Sequence, residues 1–155
     1  MLVWAVQHFQ PQAYPLRVIH TARFQITTKG QGDAHDLTAR VATAVGESTQ
    51  RAGIATVFVV GSTAVVTTIE FEPGAISDLN RVLEHLAPRH ADYRHHERWG
   101  DDNGSSHVRA ALMGPSLAVP FVNRELVLGQ WQQIMLLECD TRARTREVVV
   151  QIVGD

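Results

Sequence analysis

Residues 56–74, "TVFVVGSTAVVTTIEFEPG", decide the fold class. β-Branched and aromatic side chains fill the stretch, and residues of that kind favour a pleated, half-buried backbone. Gly61 divides it into two strands, and Pro73-Gly74 reads as the turn that closes the second. Along that second strand Val65, Thr67, Ile69 and Phe71 share one face, with Val66, Thr68 and Glu70 on the other, because successive strand side chains point to opposite sides.

Working outward, "LRVIHTARFQITT" (16–28) has the composition of another strand. From Asp36 the period changes, with Leu37, Val41 and Val45 recurring every four residues, Asp36 placed to cap and Gly53 following the last turn. This predicts an amphipathic helix, in which Gly46 costs about 1 kcal/mol relative to Ala. Ile76, Leu79, Val82, Leu83 and Leu86 mark a second amphipathic helix that Pro88 stops. "HVRAALM" (107–113) predicts a short third helix, capped by Ser105 or Ser106 and ended by Gly114. "SLAVPFV" (116–122), "ELVLGQWQQIMLLE" (125–138) and "REVVVQIVG" (146–154) are three further strands. The fold expected is α+β: a single compact domain over 1–155, with a large, mostly antiparallel β-sheet system, two amphipathic helices and a short third. Strands and helices do not alternate regularly, which argues against a doubly wound parallel sheet.

Composition sets the outer limits. A chain of 155 residues suits one domain with one sizeable core. Its net charge of -2 gives no reason to expect a polyanion partner, so nucleic acid is set aside. The lone Cys139 cannot form an internal disulfide or a cysteine-based zinc site, which suits a reducing cytosol. The opening "MLVWAVQHFQ" offers an apolar run too short for a signal segment or a membrane span. The expectation is a cytoplasmic protein with no membrane partner.

Chemistry concentrates in "YRHHERWGDDNGSSH" (93–107), which contains almost no aliphatic residue and so cannot fold for the sake of burial. His107 stands at an expected helix N-terminus, where the positive dipole end disfavours imidazolium and keeps the ring neutral. A neutral imidazole is a metal ligand or a general base. Asp101, Asp102 and Asn103 lie one turn earlier, and His95 and His96 lie across a loop that Gly100 and Gly104 allow to bend. Three such groups could hold a divalent cation, zinc or magnesium, through nitrogen and oxygen atoms. The plainer reading is that the histidines are solvated and the acids form turns and caps. His85 and His90 belong to the second helix and its exit, and are read as solvent-exposed.

Elsewhere, Glu70 lies in a hydrophobic strand pair, where alternation alone turns it toward solvent. "GQWQQ" (129–133) interrupts an apolar strand, placing Gln132 opposite Trp131, and a tryptophan there is more often core than ligand platform. "KGQGD" (29–33) matches neither a P-loop nor a dinucleotide fingerprint and reads as a loop. Arg142, Arg144 and Arg146 crowd one turn and strand; they can bind phosphate, or simply form a solvated strand edge.

Taken in order, "VFVVGSTAVVTTIEFEPG", "YRHHERWGDDNGSSHVRAALMGPSLAVPF", "LVLGQWQQIMLLE" and "RTREVVVQIVG" resemble the YjbQ-like family, often labelled secondary thiamine-phosphate synthase, from about residue 17 onward. The resemblance implies a compact α+β domain, a homotrimer, and a polar cleft whose histidines can hold a metal. The activity it implies is the joining of a pyrimidine pyrophosphate to a thiazole phosphate, as a weak secondary reaction. Carried over by motif, Glu70 and His107 are catalytic, and Asn103, Trp131 and Gln132 bind a small phosphorylated substrate, with Arg144 added from the arginine cluster. His95, His96 and His107 are the metal candidates. Two departures stand out: Gly61-Ser62-Thr63-Ala64 replaces a His-Thr-Thr-Ala pattern, and Gln130 replaces the threonine of Gly-Thr-Trp-Gln. A metal-dependent hydrolase and a non-catalytic trimeric ligand- or metal-binding protein are the alternatives. The resemblance also leads us to expect Glu70 and His107 in one cleft, with His95 and His107 pointing together.

Overall fold

A computed structural model of the chain describes residues 18–155. The reading of "MLVWAVQHFQ", and the first two positions of the strand expected at 16–28, lie outside the described residues.

Strand β1 (Val18–Thr27) and the short β2 (Ala34–Asp36) lead into helix α1 (Thr38–Glu47). The Asp36 carboxylate accepts the Thr38 N–H at 2.8 Å, so the expected capping residue does satisfy a free helical donor. At the other end the expectation fails: α1 stops at Ser48, whose N–H and hydroxyl both turn back to the Val45 carbonyl. Gly53 lies instead inside β3 (Ala52–Val59), opposite Gly154. A hydroxyl that closes the last turn on itself makes a glycine stop unnecessary.

Strand β4 (Ala64–Ile69) precedes helix α2 (Pro73–Leu86). Pro73 and Gly74 thus open a helix rather than close a strand. Proline has no N–H to forfeit at a first helical position, and the Glu72 carboxylate accepts the N–H groups of Gly74 and Ala75. Helix α3 (Arg94–Trp99) forms within the stretch expected to be a loop, followed by α4 (Gly104–Met113). Gly114 ends α4 as expected, but Ser105 and Ser106 are buried inside it and do not cap it. Strands β5 (Ser116–Val122), β6 (Glu125–Leu126), β7 (Gln133–Glu138) and β8 (Thr145–Gly154) complete the chain. The single strand expected over 125–138 is therefore split, and its halves join different sheets.

All strand pairs are antiparallel. One sheet runs β1-β8-β3-β5-β6 and the other β2-β7-β4. The main core lies between them: Val57, Val119, Val148 and Val150 from the large sheet meet Ala64, Val66, Ile134 and Leu136 from the small one, with Leu37, Val41 and Val45 of α1 filling the gap. Behind the small sheet Val65, Met135 and Leu137 pack with Ile76, Leu79 and Leu83 of α2 and with Met113 of α4. Being covered on both faces, β4 and β7 carry continuous apolar runs in place of alternation. Each fully buried side chain of this kind contributes roughly 1.5–3 kcal/mol. No helix among the described residues is long and apolar enough to cross a membrane.

This layering positions the polar segment. The α4 helix lies on β4, with the Val66 N–H bonded to the Gly114 carbonyl at 3.3 Å, and so carries residues 93–107 to the Ala64 end of the small sheet.

Candidate functional site

Gly100, in the left-handed conformation, ends α3 and turns the chain into α4. The His96 ring then reaches back, and its Nε2 accepts the Gly104 N–H at 3.1 Å. This bond explains why no serine hydroxyl caps α4: the imidazole has taken the first donor. Gly104 is required here by packing, since a Cβ would stand 2.4 Å from Tyr93 Cβ and 2.9 Å from His96 Nε2.

With His96 so engaged, the remaining polar groups converge. The His95 and His107 rings lie with centroids 4.5 Å apart, tilted by 50°. His95 Nε2 is 3.6 Å from an Asp101 carboxylate oxygen. With its amide oriented to satisfy its neighbours, the Asn103 nitrogen donates to Asp101 at 3.1 and 3.2 Å and stands 3.2 Å from His95 Nε2. Burial, and then the neighbouring His95, push the His107 pKa below its ordinary value; Asp101, Asp140 and a hydrogen bond to the Ser62 backbone oppose this without prevailing. The neutral ring expected from the helix dipole is thus reached chiefly by desolvation.

Beneath the histidines lies a buried charge network. Glu138 is completely buried and Arg146 is 7% exposed. Arg146 Nε donates to Glu138 at 2.7 Å, and Nη2 donates to Glu138 at 2.5 Å and to the Thr63 hydroxyl at 2.7 Å. Thr28 donates its hydroxyl to the same carboxylate at 2.7 Å. Asp140 accepts from Thr63 at 3.0 Å and from Arg144 Nε at 3.0 Å. Burial alone would raise the Asp140 pKa, but Thr63, the Arg142 backbone N–H and Arg144 outweigh it and hold the carboxyl below its usual value. The solvated strand edge considered for the arginines therefore fails for Arg146 alone: Arg142 is exposed and loosely paired with Asp102 at 3.9 Å, and Arg144, bonded to Asp140, is still 44% exposed.

His95, His96, Asn103, His107 and Arg144 thus share one end of the molecule. Glu70, Trp131 and Gln132 form a separate group at the other end of β4 and β7. The Gln132 amide donates to Thr68 at 3.2 Å, Trp131 is 65% exposed, and Glu70 is exposed beyond the last β4 residue. The strand register places Ala64 opposite Glu138 at the histidine end and Ile69 opposite Gln133 at this one. At about 3.3 Å per residue, β4 alone separates the two groups by roughly 17 Å. The expectation that Glu70 lines the cleft with His107 is corrected: the alternation that turns it to solvent prevails. His85 and His90 are exposed, as expected.

Among the described residues no three His, Cys, Asp or Glu side chains gather closely enough to hold a metal ion. His95 and His107 would be its nearest donors, and His96 Nε2 is already engaged by the Gly104 N–H. Asp140, Thr63 and the Glu138–Arg146 pair are site components that the first reading missed. Their signal was present in the alternation of Glu138 with Asp140 and of Arg144 with Arg146 on either side of one tight turn.

The chain matches the family described as UPF0047 protein YjbQ-like over residues 22–155. A UPF0047 protein of Methanothermobacter thermautotrophicus is 34% identical over 136 residues, covering 88% of this chain and 93% of the relative. Another from Methanocaldococcus jannaschii is 32% identical, covering 86% and 94%. Among solved structures, a Sulfolobus solfataricus protein described as YbjQ-like and of unknown function superposes with a TM-score of 0.84 at 28% identity, covering 90% of this chain and all of that one. A yjbq/upf0047 family protein of Clostridium acetobutylicum superposes with a TM-score of 0.76 at 33% identity, covering 84% and 98%. With the family matched along nearly the whole described length, and the same α+β architecture in its solved members, the chain belongs to the UPF0047, YjbQ-like family.

Proposed function

We propose that the protein is a small-molecule enzyme acting on a phosphorylated substrate, with His107 as the proton-transferring group. The observation that carries this reading is the His95–His107 ring pair, 4.5 Å apart, in which His107 is held toward its neutral form. A neutral imidazole near working pH accepts a proton readily, and a general base of this kind contributes about 10²–10⁴-fold in rate. Asp101 and Asn103 position His95, and Arg144 and Arg142, paired with Asp140 and Asp102, supply positive charge at the same end. The joining of a pyrimidine pyrophosphate to a thiazole phosphate, in which the pyrimidine unit is transferred and pyrophosphate leaves, is the first reaction to assay, since the family resemblance implies it. A reducing compartment is proposed on the buried free thiol of Cys139, whose pKa burial pushes up to about 12.

Turnover across a library of phosphorylated metabolites, with and without chelator, tests the reading. Activity that survives chelator and falls by about 100-fold or more in His107→Ala is expected. Activity abolished by chelator would favour the metal-dependent hydrolase, and saturable binding without turnover would favour a ligand-binding module. Assembly as a homotrimer is proposed alongside. It is supported by the apolar residues Ile54, Phe58 and Val122 exposed on the outer face of the large sheet. A light-scattering mass equal to one 17.2 kDa chain at micromolar concentration would overturn it.

A further inference from the structure

We propose that Arg146, reached across the bare backbone of Gly61, anchors a phosphate group beside His107. The guanidinium is gripped along one edge only. Nε and Nη2 hold the Glu138 carboxylate, and Nη2 also donates to the Thr63 hydroxyl and carbonyl at 2.7 and 3.2 Å. Nη1 donates to no described residue, although the side chain is only 8% exposed. A guanidinium carries five N–H donors in a fixed fork, so two of them are left without an acceptor among the described residues.

Those donors lie directly under Gly61. A Cβ built there would stand 2.8 Å from Arg146 Nη1, and no other residue comes closer than that guanidinium. Gly61 is itself exposed and has a φ of +140°, a conformation that side-chain-bearing residues rarely adopt. On this side the edge of the otherwise buried guanidinium is thus faced by a backbone without a side chain. A structural arginine serving Glu138 alone would not need that opening, because its bonds to Glu138 leave by the other edge.

The ligand class follows from the surroundings. Arginine is weakly hydrated and its fork matches the oxygens of a phosphate, so a buried donor edge favours an oxyanion over a cation or a neutral group. Glu138 neutralises most of the charge of Arg146, but Arg144 and Arg142, 44% and 71% exposed, rise from the same turn and can complement a dianion. Asp140 faces the same guanidinium, 3.9 Å from Nη2, and its charge is offset by its pairing with Arg144 and its bond to Thr63. Ser62, one residue and about 3.8 Å of backbone from Gly61, is close enough to the His107 ring for its backbone to favour the charged imidazole. A phosphate at Gly61 therefore sits next to the proton-transferring group, deepening the enzymatic reading; its geometry rests on that reading only for the identity of the natural occupant.

Backbone-amide and arginine-Nε NMR of the ¹⁵N-labelled full chain, titrated with inorganic phosphate against chloride at matched ionic strength, tests the site. Saturable shifts at Gly61, Ser62 and Arg146 Nε are expected, with acetate binding more weakly. Folded Gly61→Ala should bind phosphate roughly tenfold or more weakly, the loss of one charge-assisted hydrogen bond. Shifts confined to another arginine-lined surface, such as that around Arg89 and Arg109, would overturn the proposal. So would equal binding of acetate, or unchanged phosphate affinity in folded Gly61→Ala. If the strained backbone prevents that variant from folding, the wild-type shift map decides alone. Phosphate bound at Gly61 with no turnover across the metabolite library would retain the anchor and reject the enzyme; turnover with no shift at Gly61 would do the reverse.

Discussion

The two ends of the β4–β7 pair use similar polar side chains to opposite effect. At the Ala64–Glu138 end, Glu138, Asp140 and Arg146 are each no more than 7% exposed and bond to one another or to Thr28 and Thr63. At the Ile69–Gln133 end, Trp131 and Glu70 face solvent, and Gln132 keeps a single link to Thr68 and another to the Gly129 N–H. Polar groups at the first end were driven inward and had to be paired; those at the second were left in water. The difference teaches that a polar residue in an apolar strand acquires a task from its partners, and that the first end is the one organised to hold a reactive group.

The largest expected effect tests that organisation. Arg146→Met leaves Glu138 buried without its partner and should lower stability by about 3–5 kcal/mol, whereas Trp131→Ala, at an exposed site, should change it by no more than about 0.5 kcal/mol. Urea unfolding of the two variants measures both. Equal losses would erase the distinction between the ends.

A smaller effect concerns acid. The folded His107 pKa lies below the ordinary 6.5, so between those two values the unfolded chain binds more protons than the folded one. Stability should therefore fall as pH drops from 6.5 toward the folded pKa, and level off below it as far as this group is concerned. His107→Asn should flatten that slope in unfolding experiments run across the window. An unchanged slope would show that His107 titrates normally in the folded protein.

How much of this was legible depended on whether the signal was local. The strands of residues 56–69 and 145–154 and the helix at 73–86 announce themselves through β-branched content or four-residue spacing, and the α+β class followed from their order. Segment ends were read less well, because Ser48, Glu72 and His96 make their capping bonds through side chains whose targets only folding reveals. The split of 125–138 was hidden for a similar reason: both halves are apolar, yet each pairs with a strand far away in sequence. For the site, the crowding of His95, Asp101, Asn103 and His107 in one polar stretch was visible at once. The buried partnership of Glu138 with Arg146 was not, since an alternating charge pattern looks the same on a solvated edge as inside a network. Family likeness grouped Glu70 with His107, but a strand-length separation within one chain keeps them apart.

The coupling of His95 to His107 is the feature on which the functional reading depends, and imidazole titration by NMR measures it most directly. In the wild-type chain the His107 ring should titrate below 6.5, and in His95→Ala its midpoint should rise, because part of the burial and the lowering influence of the neighbouring ring have been removed. A His107 midpoint at or above 6.5, unmoved by loss of His95, would contradict the claim that these two rings form a poised pair.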